Sequence, residues 1–116
     1  MKLPNAERAF VDIEKLRDYC LSQTHPRGRH KARVFADAVG MTAGNAEELR
    51  RLILAAALVS DATLAEKDDY GQRYVVDFSI NRTGREAKVR TSWIVRREKT
   101  FLDWLAVIFS ELTNEG

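Results

Sequence analysis

The stretch from Thr24 to Phe35 sets His25 and His30 among Arg27, Arg29, Lys31 and Arg33, with no acidic residue between them. Those residue types suit phosphate chemistry. Cleaving an RNA phosphodiester without a metal requires a 2′-hydroxyl to lose its proton, the leaving oxygen to gain one, and a pentacoordinate dianion to be stabilised. Imidazole suits proton transfer near neutral pH, and arginine and lysine stabilise the developing charge. His30, Lys31 and Arg33 open a predicted helix, where unpaired backbone N–H groups and the positive end of the dipole favour anions. The plainer account of His30 is a capping or solvated histidine. His25, held before Pro26 in a loop, reads as ordinary.

A second basic segment runs from Arg82 to Lys99, with seven cations against Glu86 and Glu98, a balance of +5. Within it, Arg90 and Ser92 share a predicted strand face with Arg73 and Asp77, so an anion site and a cross-strand ion pair are both open there. Tyr70 and Gly71 occupy the turn feeding that strand pair. By parity Thr91 and Trp93 point to the apolar face, which means core packing unless a bulge swaps the faces. Two basic segments that meet in space would attract phosphate, whereas two separate ones would be solvated faces.

Other chemistries lack their residues. Two histidines five apart across a Pro-Gly loop and a single cysteine match no standard zinc spacing. The six glycines are scattered, with neither a P-loop nor a dinucleotide fingerprint. Cys20 sits on the apolar side of a helix, and no nucleophile elbow is present. No metal or cofactor is therefore expected. With 116 residues, 45% apolar and 31% charged, the chain is of ordinary globular composition, one domain whose core needs no staple. An unpaired Cys20 favours a reducing compartment. Met1 to Arg8 carries Glu7 and no apolar run, and no stretch approaches the roughly 20 apolar residues of a membrane span. The expectation is a cytoplasmic protein with no membrane partner. The net charge of +2 argues for nothing alone, and the last seventeen residues reverse the sign with Asp103, Glu111 and Glu115 unopposed.

The elements that must position these residues follow from periodicity. Apolar residues at 13, 16, 20 and 21, with Asp12 as N-cap, predict a short helix from Ile13 to Leu21. Ser22 to Arg29 contains Pro26 and Gly28 and reads as loop. A second helix spans about His30 to Val39, burying Ala32, Val34, Phe35 and Ala38, with Gly40 as its C-terminal cap. A third follows Thr42 and reaches Val59, with Leu49, Leu52, Ile53, Ala56 and Ala57 at helical spacing. After Asp61 the period changes to two. A weak strand, Thr63 to Lys67, turns at Asp68 to Gly71. Tyr74, Val76, Phe78 and Ile80 then alternate with polar residues, as do Ala87, Val89, Thr91, Trp93 and Val95, and the connector with Gly84 predicts an antiparallel hairpin. This is an α+β order: about three helices packed on one face of an antiparallel sheet, whose other face carries Arg73, Asp77, Ser79, Lys88, Arg90, Ser92 and Arg96.

The runs Gly28-Arg29-His30-Lys31-Ala32-Arg33-Val34-Phe35, Asn45-Ala46-Glu47-Glu48-Leu49, Tyr70-Gly71-Gln72-Arg73-Tyr74-Val75-Val76-Asp77 and Val89-Arg90-Thr91-Ser92-Trp93 resemble a bacterial family of small domains of unknown function. The likeness covers about residues 1 to 98. The order of a His-Lys, a Tyr-Gly and a Thr-x-Trp stretch is similar to that of C-terminal effector domains of polymorphic and contact-dependent toxins, which are thought to share the barnase, EndoU, colicin and RelE-like ribonuclease fold. The resemblance points to His30, Lys31, Tyr70, Arg90, Thr91 and Trp93. It implies a metal-independent ribonuclease, held by a cognate inhibitor protein. The resemblance leaves the roles of these residues open; residue chemistry assigns proton transfer to His30 and phosphate to Lys31 and Arg90, with Arg33, Tyr70, Arg73, Thr91 and Trp93 binding substrate or supporting the site. For this, the His30 imidazole and the Arg90 guanidinium must converge on one anion pocket. The alternative is a non-catalytic module that engages a partner protein or nucleic acid through the same basic surface.

Residues 99–116 depart from the family pattern. They form an apolar tail that predicts an amphipathic helix. A codon string for Lys-Thr-Phe-Leu-Asp-Trp read in a neighbouring frame gives Asp-Phe-Pro-Arg-Leu, the closing pattern of such domains, so a shifted reading frame is the expected origin of the tail.

Overall fold

The structure, a computed structural model, describes residues 1–96 in full and the backbone of residues 102–111. Helical segments precede an antiparallel sheet and cover one of its faces, so the architecture is α+β as expected.

Helix α1 spans Ile13–Lys15 and continues as a π-helical turn, Leu16–Cys20. Its start is held by Asp12, whose carboxylate accepts the Glu14 N–H at 2.9 Å, and its end by Leu21, whose N–H reaches back to the Leu16 carbonyl. Helix α2 spans Arg29–Val39 and buries Ala32, Phe35, Ala38 and Val39. Val34, expected in the core, is only half-buried. Gly40 ends α2 at a φ of 69°, a left-handed conformation that glycine adopts without a Cβ penalty. Thr42 and Asn45 then tie a short turn together, the Thr42 N–H donating to Asn45 Oδ1 at 2.9 Å. Helix α3, Ala46–Val59, carries Glu47 and Glu48 in its first turn, where the dipole favours them.

Strands β1 (Ala62–Asp68), β2 (Gly71–Arg82), β3 (Arg85–Arg96) and β4 (Leu102–Glu111) form one sheet in sequence order. The β2–β3 ladder runs unbroken from Arg82↔Arg85 to Gly71↔Arg96. Its turn is just Thr83 and Gly84, at φ of 54° and 76°, the pair of positive values that lets a two-residue hairpin match strand twist. Tyr74, Val76, Ile80, Ala87, Val89 and Trp93 share one parity and pack with Leu16, Phe35, Val39, Met41, Leu49 and Ile53 of the helical layer. On the other face Asp77, Ser79 and Lys88 are exposed. Ile94 has the outward parity yet is only 1% exposed.

The tail does not form the predicted helix. Residues 102–111 pair with β3. The residues named there, including Trp104, Val107, Ile108 and Phe109, are strong strand formers, and the free edge of β3 offers them a row of unpaired backbone groups. The remaining residues, 97–101 and 112–116, lie outside the described set.

Candidate functional site

The loop before α2 is built on α1. Gly28 lies so close to Tyr19 that a Cβ there would meet the Tyr19 carbonyl oxygen at 1.9 Å. Only a glycine fits. The His25 ring packs against Tyr19, with centroids 4.6 Å apart, and its Nδ1 accepts the N–H groups of Arg27 and Gly28 at 3.0 and 3.1 Å. His25 Nδ1 is thus the acceptor nitrogen of the ring, and the Arg29 N–H closes the turn on the His25 carbonyl. Lys31 sits on the same tyrosine, its Nζ 5.7 Å from the ring centroid, a cation–π distance.

This anchoring fixes the first turns of α2. Arg29, His30 and Arg33 are exposed, and their spacing puts them on one side of the helix. The His30 and Lys31 N–H groups have no acceptor among the described residues. The first turn holds no acidic residue. Among the described residues, none of Arg27, Arg29, Lys31 and Arg33 forms a salt bridge, whereas Arg17, Arg50, Arg73, Arg82 and Arg90 each do. The arrangement leaves a concentrated, uncompensated cationic surface around an exposed imidazole.

The other candidate residues fall elsewhere. Arg90 grips Asp77, its register partner, through Nε and Nη2 at 2.8 and 3.1 Å on the outer face of the sheet. Helix α2 lies on the inner face, so the sheet separates Arg90 from His30, and the expected convergence on one pocket does not occur. Thr91 and Trp93 are core residues: Thr91 Oγ1 donates to the Val76 carbonyl at 3.1 Å and accepts the indole N–H of Trp93 at 2.8 Å. Trp93 is fully buried. Substrate contact is closed to both.

Tyr70 and Arg73 gather around Asp68. Asp68 Oδ1 accepts the N–H groups of Tyr70 and Gly71, and Oδ2 accepts from Arg73 Nε at 3.0 Å. The Tyr70 N–H, with help from Arg73 and Gly71, holds this carboxyl below the usual carboxylate range against the opposing effect of desolvation. The Tyr70 ring itself is 68% exposed. An open recess of about 570 Å³ beside this turn is lined by Lys67, Asp68, Asp69, Gln72 and Arg96 among others, and no α2 residue reaches it. Burial pushes the Cys20 thiol up, partly offset by Lys31 and Lys15, and keeps it from acting as a nucleophile. Among the described residues no three His, Cys, Asp or Glu side chains are grouped to share a metal ion, and no helix is long and apolar enough to cross a membrane.

The candidate set thus divides into an α2 cluster of His30, Lys31 and Arg33, a structural pair on each sheet face, and a turn. Sequence reasoning missed Tyr19, His25 and Gly28 as the frame of the cluster. The signal for His25 was local: backbone N–H groups two and three residues ahead, as in a side-chain-capped turn.

An α+β domain with one sheet face under helices and a basic loop-to-helix surface is the class this defines. The chain belongs to the family described as Domain of unknown function (DUF6883), whose model matches residues 2–106. The match thus continues past residue 98 into the tail. No curated protein matches the chain, and no solved structure does.

Proposed function

We propose that this domain binds RNA through the surface formed by Arg27, Arg29, His30, Lys31 and Arg33. The observation that carries the reading is that, among the described residues, the neighbouring cations Arg27, Arg29, Lys31 and Arg33 form no salt bridge, whereas Arg17, Arg50, Arg73, Arg82 and Arg90 each do. Surface guanidinium groups without carboxylates are available to phosphate oxygens, and binding of this kind is dominated by counterion release. RNA is the natural polyanion because the order of the His-Lys, Tyr-Gly and Thr-x-Trp stretches resembles toxin-type ribonuclease domains. A protein inhibitor of such a domain would present acidic groups to the same surface.

Cleavage is the second reading, and the exposed His30 imidazole favours it. It has no hydrogen-bond partner among the described residues and stands beside Lys31 and Arg33. One imidazole would then carry both proton transfers, with Lys31 and Arg33 on the phosphate and Arg90 left to its ion pair with Asp77.

The test is a titration of labelled single-stranded RNA at about 50 and 200 mM salt. The expected result is binding that weakens with salt and falls about tenfold or more when Arg29 and Arg33 are both changed to alanine. No binding at the lower salt would end the reading. Incubation with total RNA in a chelator, with and without His30→Ala, tests the second one: a loss of about 100-fold supports general acid–base catalysis, and equal cleavage by the variant removes His30 from it.

A further inference from the structure

We propose that the turn from His25 to Gly28 is a pH-operated latch: the neutral His25 imidazole holds it closed, and a proton on the ring releases it. The acceptor nitrogen carries the argument. His25 Nδ1 accepts the N–H groups of Arg27 and Gly28 at 3.0 and 3.1 Å, so Nδ1 bears no hydrogen and the proton of the neutral ring sits on Nε2. In the imidazolium both nitrogens donate. A protonated Nδ1 therefore aims a hydrogen at two N–H groups, and neither bond survives.

The surroundings offer a charged ring no compensation. From the π-helical turn of α1, the Tyr19 ring packs on His25 with centroids 4.6 Å apart. From α2, the Lys31 ammonium lies 5.7 Å from the centre of that same tyrosine ring. The turn itself contributes Arg27 and, at its end, Arg29, whose N–H bonds to the His25 carbonyl. Asp18, the acid next to Tyr19, is paired with Arg17, and residues 24–33 include no acid. Among the described residues His25 has no carboxylate partner.

What the latch governs follows from its position. Gly28 is the N-cap of α2, and its carbonyl accepts the Ala32 N–H that starts the helix. Release of the Arg27 and Gly28 N–H groups loosens the segment between Tyr19 and α2, and the Arg27 and Arg29 side chains with it. The closed turn takes no proton at Nδ1 and the open turn does, so the closed form is favoured at higher pH and is lost as pH falls. Histidine is the side chain whose ordinary titration falls between about pH 5 and 8.

The test is made on the free, intact chain and does not depend on RNA binding. NMR of the ring nitrogens is expected to show His25 Nδ1 without hydrogen near neutral pH. The Arg27 and Gly28 amide signals are expected to move with the His25 ring in one titration between about pH 8 and 5. Across it, the hydrogen-exchange protection of the Gly28 N–H should fall about tenfold, roughly the worth of one hydrogen bond, with protection in α3 and β2 unchanged. His25→Asn supplies an acceptor oxygen that does not titrate and that bonds backbone N–H groups ahead of it, so its turn should stay closed in acid. His25→Ala should be open throughout, and His30→Gln, which removes the other histidine, should keep the transition. A protected Gly28 N–H beside a protonated His25 ring overturns the proposal. So does a ring that stays neutral in acid, a transition that persists in His25→Asn, or one that vanishes in His30→Gln.

Discussion

Thr91 brings a hydroxyl into an apolar core and satisfies it twice, donating to Val76 and accepting from Trp93. A buried polar atom without a partner costs more than its hydrogen bond is worth. Thr91→Val keeps the shape but strips the indole N–H of its acceptor, so the variant should lose about 1–3 kcal/mol, read as a lower urea midpoint with an unchanged slope. RNA binding should be untouched, because neither residue reaches the surface. The same scale explains Arg90. A strand arginine with an aspartate directly across the ladder forms the pair that register dictates, and a paired guanidinium is no longer poised for phosphate.

At the scale of elements, the turn from α1 into α2 decides whether the cationic surface exists. The π-helical end of α1 presents Tyr19, Gly28 packs on its backbone, and α2 starts at the next residue. Gly28→Ala would force the loop off Tyr19, since a Cβ cannot sit 1.9 Å from an oxygen. The expected outcome is a fold that survives, because the α2–sheet core is elsewhere, but with RNA affinity reduced about tenfold as the His25 cap and the Lys31 contact come apart. A two-dimensional NMR spectrum with shifts confined to residues near Tyr19 and His25 would check the cause. Periodicity located α2 and the strands of the central hairpin to within a residue or two, and it found the end of α3 at Val59 but started that helix right after Thr42, where a 3-10 turn, Ala43–Asn45, comes first. It failed at the tail, because an apolar run rich in aromatic and branched residues fits a helix or a strand equally, and the open edge of β3 settled the matter.

At the scale of the whole molecule, Arg82 joins the two layers. Its Nε donates to Glu48 of α3 at 2.9 Å, and its Nη1 donates to the carbonyls of Val39 and Gly40, which end α2. A hairpin residue thus caps one helix and ties down another, with Arg85 adding a bond to the Asp37 carbonyl. Arg82→Ala strands those carbonyls and the Glu48 carboxylate, and should cost about 2 kcal/mol, visible in chemical denaturation. Because α2 is held at this end by Arg82 and at the other by Tyr19, the variant should also weaken RNA binding less than the loss of Gly28 does.

The order of elements, the parity that buries Tyr74, Val76, Val89 and Trp93, and the concentration of cations near His30 were all written in the chain, because periodicity and local charge depend on neighbours in sequence. Which side of the sheet each cation occupies was not. That Arg90 and His30 are kept apart follows from α2 packing on the face opposite Asp77, and the closure of Trp93 to substrate follows from the same packing. Distances between residues sixty positions apart are set by how layers stack, and only the assembled molecule assigns them.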